Sequence, residues 1–215
     1  MKKIIFAVAV CGLLNSGVSF AQGAAPAAPA ASPDDAYLAM VDQAMLDVSS
    51  VNWAEMRKLY AKSSFYSDFK SATVSSSYYN AGKSAAAAPM MRQGFKDQQR
   101  QQFANFNSHV FSLKIAKELP SESINPAQEQ KELEAIADSI IEGADGSSPA
   151  KAYTVVSEDE EKLVVETFLQ QKISKTTPTS AAGHKYDVIS YTDAATQKPM
   201  SLYFNIDLIP PKPIR

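Results

Sequence analysis

The sequence predicts an α+β protein, with about four N-terminal helices packed on a small, mostly antiparallel C-terminal sheet. Two observations carry this expectation. Upstream of Gly143, capping residues and prolines open runs in which apolar side chains recur every three or four positions. Beyond the turn-forming stretch ADGSSP the apolar and polar residues alternate instead, the period of a strand with one buried face. Helices grouped first and strands grouped last give an α+β chain rather than an alternating parallel one.

The opening residues, MKKIIFAVAVCGLLNSGVSFAQG, place Lys2 and Lys3 before an apolar run, Ile4 to Leu14, with small Ser19 and Ala21 on either side of Phe20. This pattern predicts a secretory signal peptide over 1–21, cleaved after Ala21. The apolar run falls short of the roughly 20 residues a spanning helix needs, so export to the periplasm without a stable membrane anchor is expected, further release being left open. The only cysteine, Cys11, lies inside this leader and follows Val10, where a lipoprotein signal has Gly or Ala. A mature chain without thiols excludes disulfides, thiolate nucleophiles and cysteine metal sites. Removing Lys2 and Lys3 from the 21 basic residues leaves 19 against 23 acidic ones, a net charge of −4. Such a chain offers no basic footprint for nucleic acid.

Residues 22–32, rich in Ala and Pro, offer nothing to pack and predict a disordered spacer. A single α+β domain is expected over 33–209, followed by a Pro-rich tail at 210–215. SPDD opens the first helix, with Ser32 as cap, Pro33 in the first turn, and Asp34 and Asp35 at the positive end of the dipole. Tyr37, Val41, Met45 and Val48 form its stripe. Asn52 caps the second helix, where Trp53, Met56 and Tyr60 share a face. The Ser- and Ala-rich stretch around Gly82 predicts a loop. From Gln93 to Leu119 a long helix is expected, broken near Asn107, with Phe95, Phe103, Phe106, Val110 and Leu113 as its stripe. Asn125 and Pro126 open the last long helix, whose stripe is Leu133, Ile136, Ala137 and Ile140, and Gly143 ends it. Next come a strand over Ala152 to Ser157, a short helix from Asp159 to Glu166 opened by the SEDE capping box, and a strand from Leu169 to Lys175. A hairpin of GHKYDVISYTD and KPMSLYFNID closes the chain.

Four stretches taken in order, WAEMRKLYAKSSFYSDF, AIADSIIEGADGSSPAKAYTVVSEDEE, KYDVI and LYFNID, resemble the bacterial family called domain of unknown function 4919. The resemblance spans most of the mature chain and implies an exported protein with no assigned activity. It supplies no catalytic residues. The chain departs from the family in its turn GADG, where a shorter Gly-Asp-Gly is expected, and in its Ala-rich insert near Gly82. Both departures fall in loops.

In the hairpin, one register satisfies the patterns of both strands, with Val188 facing Phe204, Asp187 facing Asn205, Ile189 facing Tyr203 and Lys185 facing Asp207. The core face is then Tyr186, Val188, Leu202, Phe204 and Ile206. Asp187, Tyr203, Asn205 and Asp207 gather on the other face, and with Tyr66 they are the candidate ligand-binding residues. Oxygen donors so placed suit a hard cation or a hydroxyl-rich ligand, and two carboxylates suit glycoside hydrolysis. Lys185 opposite Asp207 is equally the charge pair of a solvated sheet, and the wet side of a one-sided sheet is the favoured expectation.

His109 falls on a helical stripe with Phe106, Val110 and Leu113, the place of a packing histidine, and His184 sits at a strand entry. Tyr60, Phe65, Tyr66, Phe69, Tyr78 and Tyr79 either cap the helical core or line a groove for peptide or glycan. The acidic run EDEEK is expected to sit at a helix N-terminus. No nucleophile elbow, zinc helix or phosphate loop appears in the sequence, so no catalytic residue, metal ligand or cofactor is assigned. The expected function is a non-enzymatic interaction or ligand-binding module of the cell envelope, with an envelope protein or glycan as partner. The alternative is an envelope hydrolase acting on glycan or peptide through Asp187, Asp207 or His109.

Overall fold

The computed structural model describes residues 31–66, 96–118 and 124–211. The leader, nearly all of the spacer, the Ser- and Ala-rich loop, Phe69, Tyr78, Tyr79, Phe95 and the last four residues lie outside them. Helices come first: α1 (Pro33–Leu46), α2 (Trp53–Lys62), a helical segment over 96–101, α3 (Phe106–Glu118) and α4 (Pro126–Ile141). Strand β1 (Tyr153–Thr154), helix α5 (Glu158–Lys162) with a π-helical extension (Leu163–Phe168), and strands β2 (Ile173–Ala181), β3 (His184–Thr192) and β4 (Pro199–Asn205) follow. The sheet order is β1-β4-β3-β2, with β1 parallel to β4 and the other pairs antiparallel. The described residues from Ala31 onward belong to one compact unit, and none of their helices is long and apolar enough to cross a membrane.

Three helix starts are those the caps predict. Ser32 Oγ accepts the Asp35 N–H, Asn52 Oδ1 accepts that of Glu55, and Asn125 Oδ1 accepts those of Ala127 and Gln128. α1 ends at Leu46, so Ala44 joins Tyr37 and Val41 in the core, whereas Met45 is 54% exposed. The third helical region breaks over residues 102–105, and the helical phase restarts beyond the break. Its buried face is therefore Phe106, His109, Ser112 and Ile115, and Val110 of the expected stripe faces outward.

The sheet corrects three expectations. β1 is two residues long, because its continuation is claimed by side chains: the Thr154 carbonyl accepts from Arg57, and the Val156 N–H donates to Glu160. β2 begins at Ile173 and runs on through TTPTS, which carries no apolar signal. It forms because Ala182 and Gly183, at φ 51° and 84°, make a two-residue turn of the left-handed type that matches strand twist. The hairpin register is shifted by one from the expected pairing: Val188 faces Tyr203, Asp187 faces Phe204 and Ile189 faces Leu202. Opposite residues share a face, so the core side carries Ile189, Tyr191, Leu202 and Phe204, and Val188 leaves it. The main apolar cluster joins these to Tyr37, Val41, Met56, Tyr60, Ile136, Ile140, Val155 and Val164.

Candidate functional site

Helices α3 and α4 bury a polar cluster between them. His109, Glu129 and Glu132 are 3%, 8% and 4% exposed. His109 Nδ1 lies 2.9 Å from Glu129 Oε2 and 3.2 Å from Glu132 Oε2. Its other nitrogen, Nε2, is 2.6 Å from the Phe103 carbonyl oxygen, which only accepts, so Nε2 carries a hydrogen. The break at 102–105 places that carbonyl there, and Ala104 N–H donates to the Tyr37 hydroxyl to hold the turn. Glu129 and Glu132 are three residues apart and thus neighbours on one helical face. Each outer carboxylate oxygen is held by an amide: Gln99 Nε2 donates to Glu129 Oε1, and Gln128 Nε2 donates to Glu132 Oε1. Burial alone would push the imidazole pKa down. Hydrogen bonds to both glutamates and their charges outweigh it and hold His109 at about 9.

One nitrogen and two carboxylate oxygens from these residues all lie within 4.8 Å of one another, the one such group of three or more among the described residues. The sequence alone points to no metal ligand and gives His109 the place of a packing residue. Two signals stood in the sequence. His109 interrupts an apolar stripe, and Glu129 and Glu132 continue the Leu133–Ile136–Ile140 stripe one turn toward the helix start. Both were legible as polar residues on buried faces, but their meeting depends on how α3 crosses α4.

Beside this cluster runs an open groove of about 1100 Å³ between the α1–α2 connection and α4, lined among others by Leu46, Val48, Trp53, Gln128, Ala135 and Ile141. Leu46 is 90% exposed and Ile141 41%. The lining also carries Asp47 from the α1–α2 connection and Glu134, Asp138 and Glu142 from α4 and its end, against one lysine, Lys131. Trp53 stacks on Phe103 with ring centroids 5.6 Å apart, and Phe103 meets His109 edge-on at 5.3 Å. Gln128 lines the groove and also holds Glu132, so groove and cluster share a wall.

Of the residues singled out from the sequence, Asn205 and Asp207 meet, the Asp207 N–H donating to Asn205 Oδ1 at 3.0 Å, whereas Asp187 lies on the opposite sheet face. Asp187, on the core side opposite Phe204, is half-buried, and burial and then the Glu158 charge raise its carboxyl pKa. Tyr203 and Asn205 lie on the other face. Asp207, past the end of β4, accepts the Lys185 backbone N–H at 2.9 Å and contacts His184 Nδ1 at 2.6 Å. These bonds hold its carboxyl below the usual range. The backbone of Lys185 thus makes the contact expected of its side chain. Tyr66 donates to the Val156 carbonyl at 2.7 Å and packs against Tyr60, so it ties the chain beyond α2 to the segment between β1 and α5. None of Asp187, Tyr203, Asn205, Asp207, Tyr66 or His109 lines the groove.

The acidic run EDEEK is a helix start, with Ser157 Oγ accepting the Glu160 N–H, but two of its carboxylates are buried. Glu160 pairs with Arg57, and Glu161 Oε1 has no hydrogen-bond partner. In comparisons with protein-family models, curated proteins and solved structures, nothing matched this chain.

Proposed function

We propose that the protein is an exported, non-enzymatic binding module of the cell envelope that receives a basic, amphipathic segment of a partner protein in the groove beside α4. The observation that carries this is the composition of the groove. Leu46 and Ile141 leave apolar surface in water next to four carboxylates and a single lysine. An apolar patch rimmed by charge of one sign favours a partner with apolar anchors and opposite charge, and a helix laid in such a groove reads through residues spaced three and four apart. The predicted leader and the resemblance to exported proteins support the envelope as the setting.

Calorimetric titration of the purified protein with a leucine–lysine amphipathic helix and its leucine–glutamate counterpart tests the proposal. The cationic peptide is expected to bind, more weakly as salt rises, and Leu46→Asp or Asp138→Lys to weaken it by at least about tenfold, or ~1.4 kcal/mol. Equal binding of both peptides, or indifference to both substitutions, overturns it. A second reading as a hydrolase draws on Glu161 and Asp187, two interacting carboxyls both raised above their ordinary values, the pattern of acid–base pairs. Turnover of peptidoglycan that disappears in Asp187→Asn would put this reading in place of the first.

A further inference from the structure

We infer that His109, Glu129 and Glu132 form a binding site for one divalent transition-metal ion of the zinc class. The inference stands apart from the groove proposal and rests on four features of the cluster.

The first is donor geometry. Metal bonds of about 2.0–2.2 Å in tetrahedral array set ligand atoms about 3.3–3.6 Å apart. His109 Nδ1 stands 2.9 and 3.2 Å from the two Oε2 atoms, so small outward shifts suffice to admit an ion. The second is orientation. Nε2 is committed to the Phe103 carbonyl, which turns Nδ1 toward the carboxylates. An imidazole that gives its far N–H to a backbone carbonyl is a usual arrangement of metal-bound histidine.

The third feature is support around the carboxylates. Gln99 and Gln128 each hold an outer oxygen, leaving both Oε2 atoms aimed at the same nitrogen. Gln99 also donates to Ser112 Oγ on α3, which in turn donates to the Ser108 carbonyl, so the supporting amide is itself braced. The fourth is charge. Two acidic side chains face a single imidazole nitrogen in a buried place, and a buried charge is costly unless matched. A divalent ion bound at Nδ1 matches both carboxylates at once. One imidazole with two carboxylates is a mixed nitrogen–oxygen set, which suits zinc, cobalt, iron or manganese better than calcium or magnesium. Three protein ligands leave a position for water or a partner's group.

The chain's single tryptophan gives a direct readout, because Trp53 is linked to His109 through Phe103. Purified protein stripped with chelator is titrated with Co²⁺ and with Zn²⁺. The expected results are one equivalent bound by elemental analysis, visible Co²⁺ absorption of a four- or five-coordinate site displaced by Zn²⁺, Trp53 quenching by Co²⁺ and a higher melting temperature with Zn²⁺. Glu129→Gln and Glu132→Gln, near-isosteric changes whose folding is checked by circular dichroism, should each weaken Co²⁺ binding by about a hundredfold or more, since loss of outer-shell partners alone costs roughly 10–100-fold. His109→Ala should abolish it, and His184→Ala, at the exposed histidine beside Asp207, should leave it unchanged. The inference is overturned if the wild type shows no saturable binding at micromolar ion, if both folded glutamine variants bind as the wild type does, or if His184→Ala removes the signal.

Discussion

Arg57 is 2% exposed, an unusual place for a guanidinium. Nε donates to Glu160 Oε1 at 2.9 Å, Nη2 to Glu160 and to the Thr154 carbonyl, and Nη1 to the Ser139 carbonyl and hydroxyl. One side chain thus ties α2 to α4, β1 and α5, with the forked geometry that only arginine supplies. Arg57→Met leaves a buried carboxylate without its cation and is expected to cost about 3–5 kcal/mol in urea unfolding. Adding Glu160→Leu should recover much of that loss, and a double variant as unstable as the single one contradicts this account. Glu161, 4% exposed, behaves oppositely. Burial first, and then the charges of Asp187 and Glu158, push its carboxyl from 4.5 up to about 8. The fold therefore favours the protonated acid, so its stabilising contribution is full below about pH 4.5 and is lost as pH rises to about 8. At about 1.4 kcal/mol per pKa unit the loss is on the order of 3–5 kcal/mol. Glu161→Gln, neutral at every pH, should melt like the wild type in mild acid and several degrees higher in mild base. A melting difference independent of pH would show that the carboxyl does not titrate in this window.

Turns decide how the elements meet. Gly146 sits at φ 68°, and its carbonyl accepts the Tyr203 N–H at 2.8 Å, fastening the ADGSSP turn to β4. A Cβ there would stand 2.6 Å from Tyr153 Cε2 and 2.8 Å from Leu202 Cδ2. Gly146→Ala combines left-handed strain with overpacking and is expected to cost roughly 2–4 kcal/mol. Gly183→Ala, at φ 84° but with open space around it, carries the strain alone, about 1–2 kcal/mol. Equal costs in chemical denaturation would remove packing from the explanation. The π-helical extension of α5 shows why its sequence reads two ways. Val164 and Val165 suit a strand, yet both are buried in the core cluster within a widened helix whose Leu169 N–H donates to the Val164 carbonyl at 3.0 Å.

Across the molecule, the helices pack on the sheet face that carries Ile189, Leu202 and Phe204, and β2 extends past this shared core with most residues exposed. As an edge strand it contains Pro178 and Lys175, residues that discourage pairing with another chain. The groove lies where α1 stops at Leu46 and the chain turns into α2. Its acidic wall and exposed apolar lip come from residues distant in sequence, so neither composition nor any single helix pattern announces it.

The sequence alone determined the helix starts, the change of period after Gly146 and the α+β order, because capping and periodicity act over a few neighbouring residues. It also marked Tyr37, Met56, Tyr60 and Ile136 as core. Only the tertiary structure decided the hairpin register, since the observed pairing sets Asp187 opposite Phe204 and Val188 opposite Tyr203, against the alternation of KYDVI and LYFNID. Closure of the turn between β3 and β4, where the Asp193 N–H donates to the Lys198 carbonyl at 2.9 Å, and packing against the helices choose between the alternatives. Only the tertiary structure brought Arg57 to Glu160, and His109 to Glu129 and Glu132. A buried charge pair is a contact between surfaces, and which helical face becomes a surface's interior is settled by packing over long separations in the chain.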